Sequence, residues 1–419
     1  MKQTLVLQAP IFSRSGYGDH AKDILRSLYE LDRYDIKLIP TRWGNTPQNQ
    51  IDSTSEFDVW CLNNVITSLS EKPDIFIQIS VANEARPIGN WNCLITAGSE
   101  TTIIPKEFID GCNKMDLIIV PSEFTKKVME SVVYQEKNKH TGDVIREHKI
   151  LKPIVTLFEG VDIGTYSRKD TLTILDNNDI PDFNFLICGH WLKGELGQDR
   201  KDIGMTLKTI ATTFQTVPKD KRPGIILKTS LAGFSVVERE ILRKRLEDTL
   251  QSFGADRVPV YLLYGDLTNI EMGMLYNHPK VKAMVSFTKG EGYGRPLAEF
   301  ALTGKPIVVS QWSGPIDFLP ADNVTFLKGE MTQVHESAVD KFILKEGKWF
   351  TVSYSEAANK LLHLFNNYKS YLEKSKPLTS HIKKNFSLKG MTEELSNILD
   401  IYAKKAPEIK EFKLPSLKK

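Results

Sequence analysis

Ser286-Phe287-Thr288-Lys289-Gly290-Glu291-Gly292-Tyr293-Gly294-Arg295-Pro296-Leu297-Ala298-Glu299 runs from an apolar strand, through a loop with three glycines, into a helix opened by Pro296. Proline at the first helical position has its φ preset and lacks only an N–H that would be unpaired there. Gly290, Gly292 and Gly294 let the backbone approach a ligand closely. The free N–H groups of loop and helix start then converge on one place. Such a place binds phosphate without requiring a metal. Two carboxylates flank the loop, Glu291 and Glu299, with seven residues between them. On one continuous helix they would stand about 80° apart. The glycines and the proline break that helix, so Glu291 falls on the loop and Glu299 on the second helical turn. A carboxylate beside a diphosphate would be repelled, so Glu299 suits vicinal hydroxyls such as a ribose diol. Glu291 suits a sugar ring or a developing cation. The plain alternative is a tight turn with two solvated acids. The whole constellation weighs against it, where a lone G-x-G-x-x-G would not.

Outward from this stretch, short apolar runs alternate with amphipathic ones, the pattern of parallel α/β sheets. Residues 4–9, 36–40, 74–80, 117–120 and 154–158 read as strands. The turn Ser13-Arg14-Ser15-Gly16-Tyr17-Gly18 leads into a helix with Ala21, Ile24, Leu25, Leu28 and Leu31 on one face. Ser122 suits the N-cap of a helix from about Glu123. Residues 136–152 interrupt the pattern as a polar, basic surface loop or short helix, and the acidic, Asn-rich segment 167–181 suits a linker. The alternation then restarts, with strands at 183–188, 224–228, 258–264, 283–287 and 306–310. Two successive β/α series predict two doubly wound domains facing a central cleft, which is then the default ligand site. Residues 355–371 and 391–403 read as C-terminal helices. The tail 404–419 carries six Lys against two Glu, and reads as a solvated tail or a polyanion contact.

Composition agrees. A chain of 419 residues suggests two or three domains. With 41% hydrophobic and 26% charged residues, disorder, collagen and coiled coil are poor readings. No apolar run approaches the ~18 residues of a membrane helix, and no signal-peptide core follows Met1. Cys61, Cys93, Cys112 and Cys188 are scattered, as expected of reduced core residues in a cytoplasmic protein rather than a disulfide or zinc scaffold. The net charge of +3 neither demands nor excludes nucleic acid. The eight histidines show no metal-ligand spacing.

Glu291…Glu299, with Gly-Tyr-Gly between and Ala301-Leu302-Thr303-Gly304-Lys305-Pro306-Ile307-Val308-Val309-Ser310 behind, resembles the retaining glycosyltransferases of the GT-B fold, in particular the large family four. Ser313-Gly314-Pro315 with Asp317, Val120-Pro121-Ser122-Glu123-Phe124, Gly160-Val161-Asp162 and Phe386-Ser387 extend the resemblance over most of the chain. It implies an acceptor-binding domain over 1–166 and a nucleotide-sugar donor domain over 167–380. A helix over 381–403 would cross back to the first domain, ahead of the basic tail 404–419.

The resemblance assigns Glu299 to the donor ribose. Glu291, Gly292, Tyr293 and Gly294, with Arg295 beside them, go to the transferred sugar and diphosphate. Arg200 and Lys201 match the family's basic residues, whose charge would offset the leaving diphosphate. Gly16, after the first strand, matches a Gly-rich loop near the diphosphate, and Tyr17, His20 and Glu100 fall on the acceptor side. A strand–helix turn is the plain reading of Gly16, a surface residue that of His20, and a solvated pair that of Arg200 and Lys201. The chain has no D-x-D, the signature with which metal-dependent transferases bind a diphosphate. Metal-independent transfer is the expectation from that absence; the resemblance implies a same-face route, with a nucleotide-diphosphate sugar as substrate, UDP first, and no cofactor. The expected acceptor is a saccharide or glycolipid. A further resemblance, to relatives encoded by large tailed phages, rests on Ala9-Pro10…Ser15-Gly16-Tyr17-Gly18-Asp19-His20, and makes a hydroxymethylated pyrimidine in DNA an alternative. The segment 136–152 and the tail would then contact phosphates. An inactive sugar-nucleotide-binding protein is the other alternative.

Overall fold

A computed structural model describes residues 2–231, 233–254 and 257–403. The first half holds β1 (Gln3–Ala9), α1 (Gly16–Leu31), β2 (Tyr34–Pro40), α2 (Glu56–Asn63), β3 (Ile75–Ile79), β4 (Trp91–Ile95), α3 (Lys106–Cys112), β5 (Leu117–Val120), α4 (Glu123–Ser131), β6 (Tyr134–Lys137), β7 (Val144–His148), β8 (Ile154–Thr156) and α5 (Ile163–Tyr166). The second holds β9 (Asn184–Cys188), α6 (Ile203–Thr213), β10 (Gly224–Lys228), α7 (Val236–Gln251), β11 (Val260–Leu263), α8 (Asn269–Asn277), β12 (Val281–Ser286), α9 (Arg295–Ala301), β13 (Ile307–Ser310), β14 (Thr325–Leu327), β15 (Gly329–Gln333) and β16 (Lys348–Val352). Four helices follow: α10 (Tyr354–Asn366), α11 (Tyr368–Ser375), α12 (Pro377–Asn385) and α13 (Leu388–Tyr402).

Twelve of these strands form two six-stranded sheets, in the orders β2-β1-β3-β4-β5-β8 and β11-β10-β9-β12-β13-β14, and β6–β7 and β15–β16 are separate hairpins. Every pairing within the six-stranded sheets is parallel. Helices cover both faces, so the inner strands are nearly all apolar and buried, as β3 and β4 are along their whole length. The doubly wound α/β architecture expected from the alternation is therefore present twice. Each sheet reverses its order once, between β1 and β3 and between β9 and β12. Ligand crevices open at such reversals, outside the carboxyl ends of the strands.

The last helix leaves the second sheet. Met391, Leu395, Ile398 and Leu399 of α13 join the core of Ala21, Ile24, Leu25 and Leu28 on α1. Ser27 and Thr392 share a hydrogen bond of 2.8 Å. The chain crosses between halves twice, and the crossings pair at Val161 and Ser387. No helix among the described residues is long and apolar enough to span a membrane.

Several local expectations need correction. Segment 136–152 is neither loop nor helix but mostly the antiparallel hairpin β6–β7. The β-branched pair Val144-Ile145 and the turn at Gly142, with φ +77, favour it. Trp91–Ile95 is a strand that the sequence reading missed, because Trp, Asn and Cys interrupt its aliphatic run. The single helix expected over 355–371 is two, broken at Asn367 with φ −122. The segment read as a linker buries Leu175 and Ile180 in the second core. The basic tail lies outside the described residues.

Candidate active site

The loops after β9 and β12 flank the reversal in the second sheet, and they bring the two carboxylate neighbourhoods together. α9 starts one residue earlier than the proline suggested: Gly294 is its N-cap, at φ +105, where a side chain would be strained. Gly290 has a purpose within the protein itself. A Cβ there would stand 1.9 Å from the Glu100 carbonyl oxygen, so the glycine lets the loop lie on the opposite half of the molecule. Ser122 donates to the Gly292 carbonyl at 2.6 Å, across the cleft. The Gly292, Tyr293 and Gly294 amides donate to no other described residue.

Glu291 and Glu299 both point inward, exposed only 8% and 5%. Glu291 accepts from Lys201, from Arg200 Nη1 at 3.2 Å and from Thr288 at 2.8 Å. Burial opposes its charge, but Lys201 and Arg200 outweigh it and hold the carboxyl down at about 2. Arg200 also donates to the Gly290 carbonyl at 2.8 Å and pairs with Glu100 at 3.0 Å. Burial works against the guanidinium charge, yet Glu100 and Glu291 raise its pKa above the ordinary arginine value.

Glu299 lies in a second cluster. It accepts from Arg295 Nε at 2.9 Å and from the Tyr276 hydroxyl at 3.1 Å. Burial pushes it up to about 7, against the pull of Arg295. Arg295 reaches across to Asp23 on α1 at 2.6 Å and stands 3.8 Å from Glu159. His20 is no surface residue: it is 7% exposed, its Nδ1 has no partner among the described residues, and burial drops its pKa to about 3. It lines a cavity of about 30 Å³ with Gly16, Tyr17 and Glu159. The Tyr17 hydroxyl accepts from the Ala97 amide at 2.9 Å, and its ring stacks on Trp43 at 3.8 Å.

Glu291, Arg200, Lys201 and Glu100 thus form one cluster. Arg295 and Glu299 form another with Asp23 and Glu159, the loop 291–295 joins the two, and Gly16, Tyr17 and His20 lie beside the second. The sequence reading missed four residues here, Asp23 and three others. Glu159 is a buried carboxyl raised to about 8, with Arg295 acting against the burial. His190, held by Ser230 at 2.8 Å, drops to about 4 through burial and then Lys201 and Lys228. Lys228 ends β10 and is 8% exposed. A lysine on a buried parallel strand is unusual enough to have marked it; Glu159 and His190 carry no such signal.

No protein-family model matches the chain, and no curated protein matches its sequence. Solved structures do match it. Sucrose-phosphate synthase from Thermosynechococcus elongatus is 10% identical over 96% of this chain and 99% of that one, with a TM-score of 0.61. A glycosyltransferase from Rickettsia africae is 14% identical, covering 97% and 100%, at 0.58. Anabaena HepE in complex with UDP and glucose is 12% identical, covering 95% and 100%, at 0.57. Identities this low establish likeness of architecture, and that architecture runs through nearly the whole of each chain: the fold is GT-B, two Rossmann-like domains across a cleft.

Proposed function

We propose that the chain is a glycosyltransferase that moves a sugar from a nucleoside-diphosphate sugar to a hydroxyl acceptor, with retention and without a metal. One observation carries this reading: at the reversal of the second sheet, Arg200 and Lys201 converge with Glu291 beside the unpaired amides of Gly292–Gly294. The cations and amides take the diphosphate, and stabilise the charge that grows on it as the glycosidic bond breaks. Glu291 and Tyr293 meet the transferred sugar, Glu299 accepts from the ribose diol, and Gly16 lets the first α1 turn approach the phosphates. Arg295 holds Glu299 in place. Residues 1–166 present the acceptor through Tyr17, His20 and Glu100, and residues 167–380 hold the donor.

On the retaining route the acceptor attacks the same face that the diphosphate leaves. The leaving phosphate oxygen takes the acceptor proton, and closure of the halves keeps water out. UDP is the first candidate base, a choice supported by the UDP and glucose bound to HepE. A saccharide or glycolipid is the favoured acceptor over a hydroxymethylated pyrimidine in DNA. Just after β7, Lys149 stands 3.5 Å from Glu147, so one of the segment's cations is matched already.

A thermal-shift panel of UDP-, GDP-, ADP- and dTDP-sugars tests the reading, since a ligand of the folded state raises its melting point. Release of free nucleotide in the presence of EDTA then checks metal independence. No response to any of the four donors sinks the proposal; a shift without turnover on any acceptor favours a binding protein.

A further inference from the structure

We propose that Glu100 stands in for the donor diphosphate on Arg200, and that a donor must displace it, so that donor binding frees the acceptor-side carboxylate. This deepens the reading above and rests on it.

Arg200 has three anionic or carbonyl partners. Two, Glu291 and the Gly290 carbonyl, come from its own half and from the loop beside it. The third, Glu100, reaches over from the other half to Nη2 at 3.0 Å. These partners differ in access. The Glu291 side chain is 10% exposed, whereas that of Glu100 is 36% exposed, so an anion arriving from solvent meets Glu100 first. A phosphate and a carboxylate cannot both sit against Nη2, because each would repel the other. The exchange is anion for anion. It never leaves the guanidinium, with only 12% of its side chain exposed, without a counter-charge, which would be costly in so dry a place.

The Glu100 backbone is not free to move with its side chain. Its carbonyl lies under Gly290. Two residues on, Thr102 donates its amide to the Lys348 carbonyl at 2.9 Å and accepts from the Lys348 amide at 2.9 Å. Ser99 is fixed by hydrogen bonds to Thr101 and Ile103. Displacement is therefore a swing of one side chain on a fixed loop. It turns the carboxylate from the donor cation toward the acceptor side, where it can accept from an incoming hydroxyl.

Isothermal titration of the full chain with UDP, and with GDP, ADP and dTDP alongside, tests this. Glu100→Gln and Glu100→Ala are expected to bind the preferred nucleotide about two- to five-fold tighter than the unaltered protein, the worth of one partly exposed ion pair. The gain is expected to vanish when Arg200→Ala is added. A residue that merely braces the loop would lower the melting temperature and leave nucleotide affinity unchanged or weaker. Unchanged or weaker binding in both Glu100 variants overturns the inference and leaves the transferase reading standing. A gain that survives Arg200→Ala also overturns it, since Arg200 would not be the group competed for. Failure of the unaltered protein to bind any of the four removes the donor site itself, and the inference with it.

Discussion

Glu291 and Glu299 sit eight positions apart on one segment and are almost equally buried, yet one is held at about 2 and the other at about 7. Desolvation pushes both upward, so burial is not what separates them. The balance of charges is. Glu291 faces two cations, Lys201 and Arg200, the second shared with Glu100. Glu299 has Arg295, which also faces Asp23 and Glu159. The general lesson is that a carboxylate's protonation in a dry cleft follows the local supply of positive charge more than its depth.

The sharpest way to break this contrast is to take the single cation away. Arg295→Met leaves Asp23, Glu159 and Glu299 buried without the guanidinium they share, and should cost about 3–5 kcal/mol of stability, read as a lower urea midpoint. Lys201→Ala acts on the other cluster. It should lift the Glu291 pKa and lower transfer about 10²- to 10³-fold, measured as nucleotide release with whichever donor the panel selects. Unchanged turnover would dissociate Lys201 from the chemistry.

The two acids also predict opposite pH dependences. Glu299 has a folded pKa of about 7, above its usual value near 4.5, so the folded state keeps a proton that the unfolded chain gives up. Its contribution therefore erodes stability as pH rises from about 4.5 to 7, by on the order of 3 kcal/mol. Glu159, at about 8, extends the same fall. Glu291, at about 2, works the other way: its contribution is complete above about 4.5 and is lost as pH falls through 2. Melting temperature against pH should thus flatten above 4.5 in Glu299→Gln and below 4.5 in Glu291→Gln. The smallest effect is expected for Tyr276→Phe. It removes one hydrogen bond from Glu299 and should cost about 1 kcal/mol while raising that pKa further, visible as a modest drop in melting temperature.

Much of this was legible in the sequence, and the rest was hidden for physical reasons. The alternation of apolar runs announced both sheets, because parallel strands buried on two faces are uniformly apolar. The spacing of Glu291 and Glu299 around glycines and a proline placed one on the loop and one on the helix. The partners of Arg295 were invisible. Asp23 lies 272 residues away, and an ion pair over that distance leaves no periodic trace. The Glu100–Arg200 contact was hidden likewise. Gly290 was recognised as a point of close approach, but sequence cannot say whether ligand or protein approaches. The β15–β16 hairpin, whose second strand bonds to Thr102 through Lys348, was missed because Gly329 and the polar run after it mask the strand pattern.

The docking of α13 on α1 has a consequence for how the molecule is made. Ser27 and Thr392 are partners 365 residues apart. While the polypeptide emerges from the ribosome, α1 can pack on the strands of its own sheet, but the part of it that α13 covers stays open until α13 has been synthesised. That edge of the amino-terminal core therefore waits uncovered through the making of the whole second half. Its final locking, and its exposure to chaperones and aggregation in the meantime, are set by the time translation takes to reach Leu388.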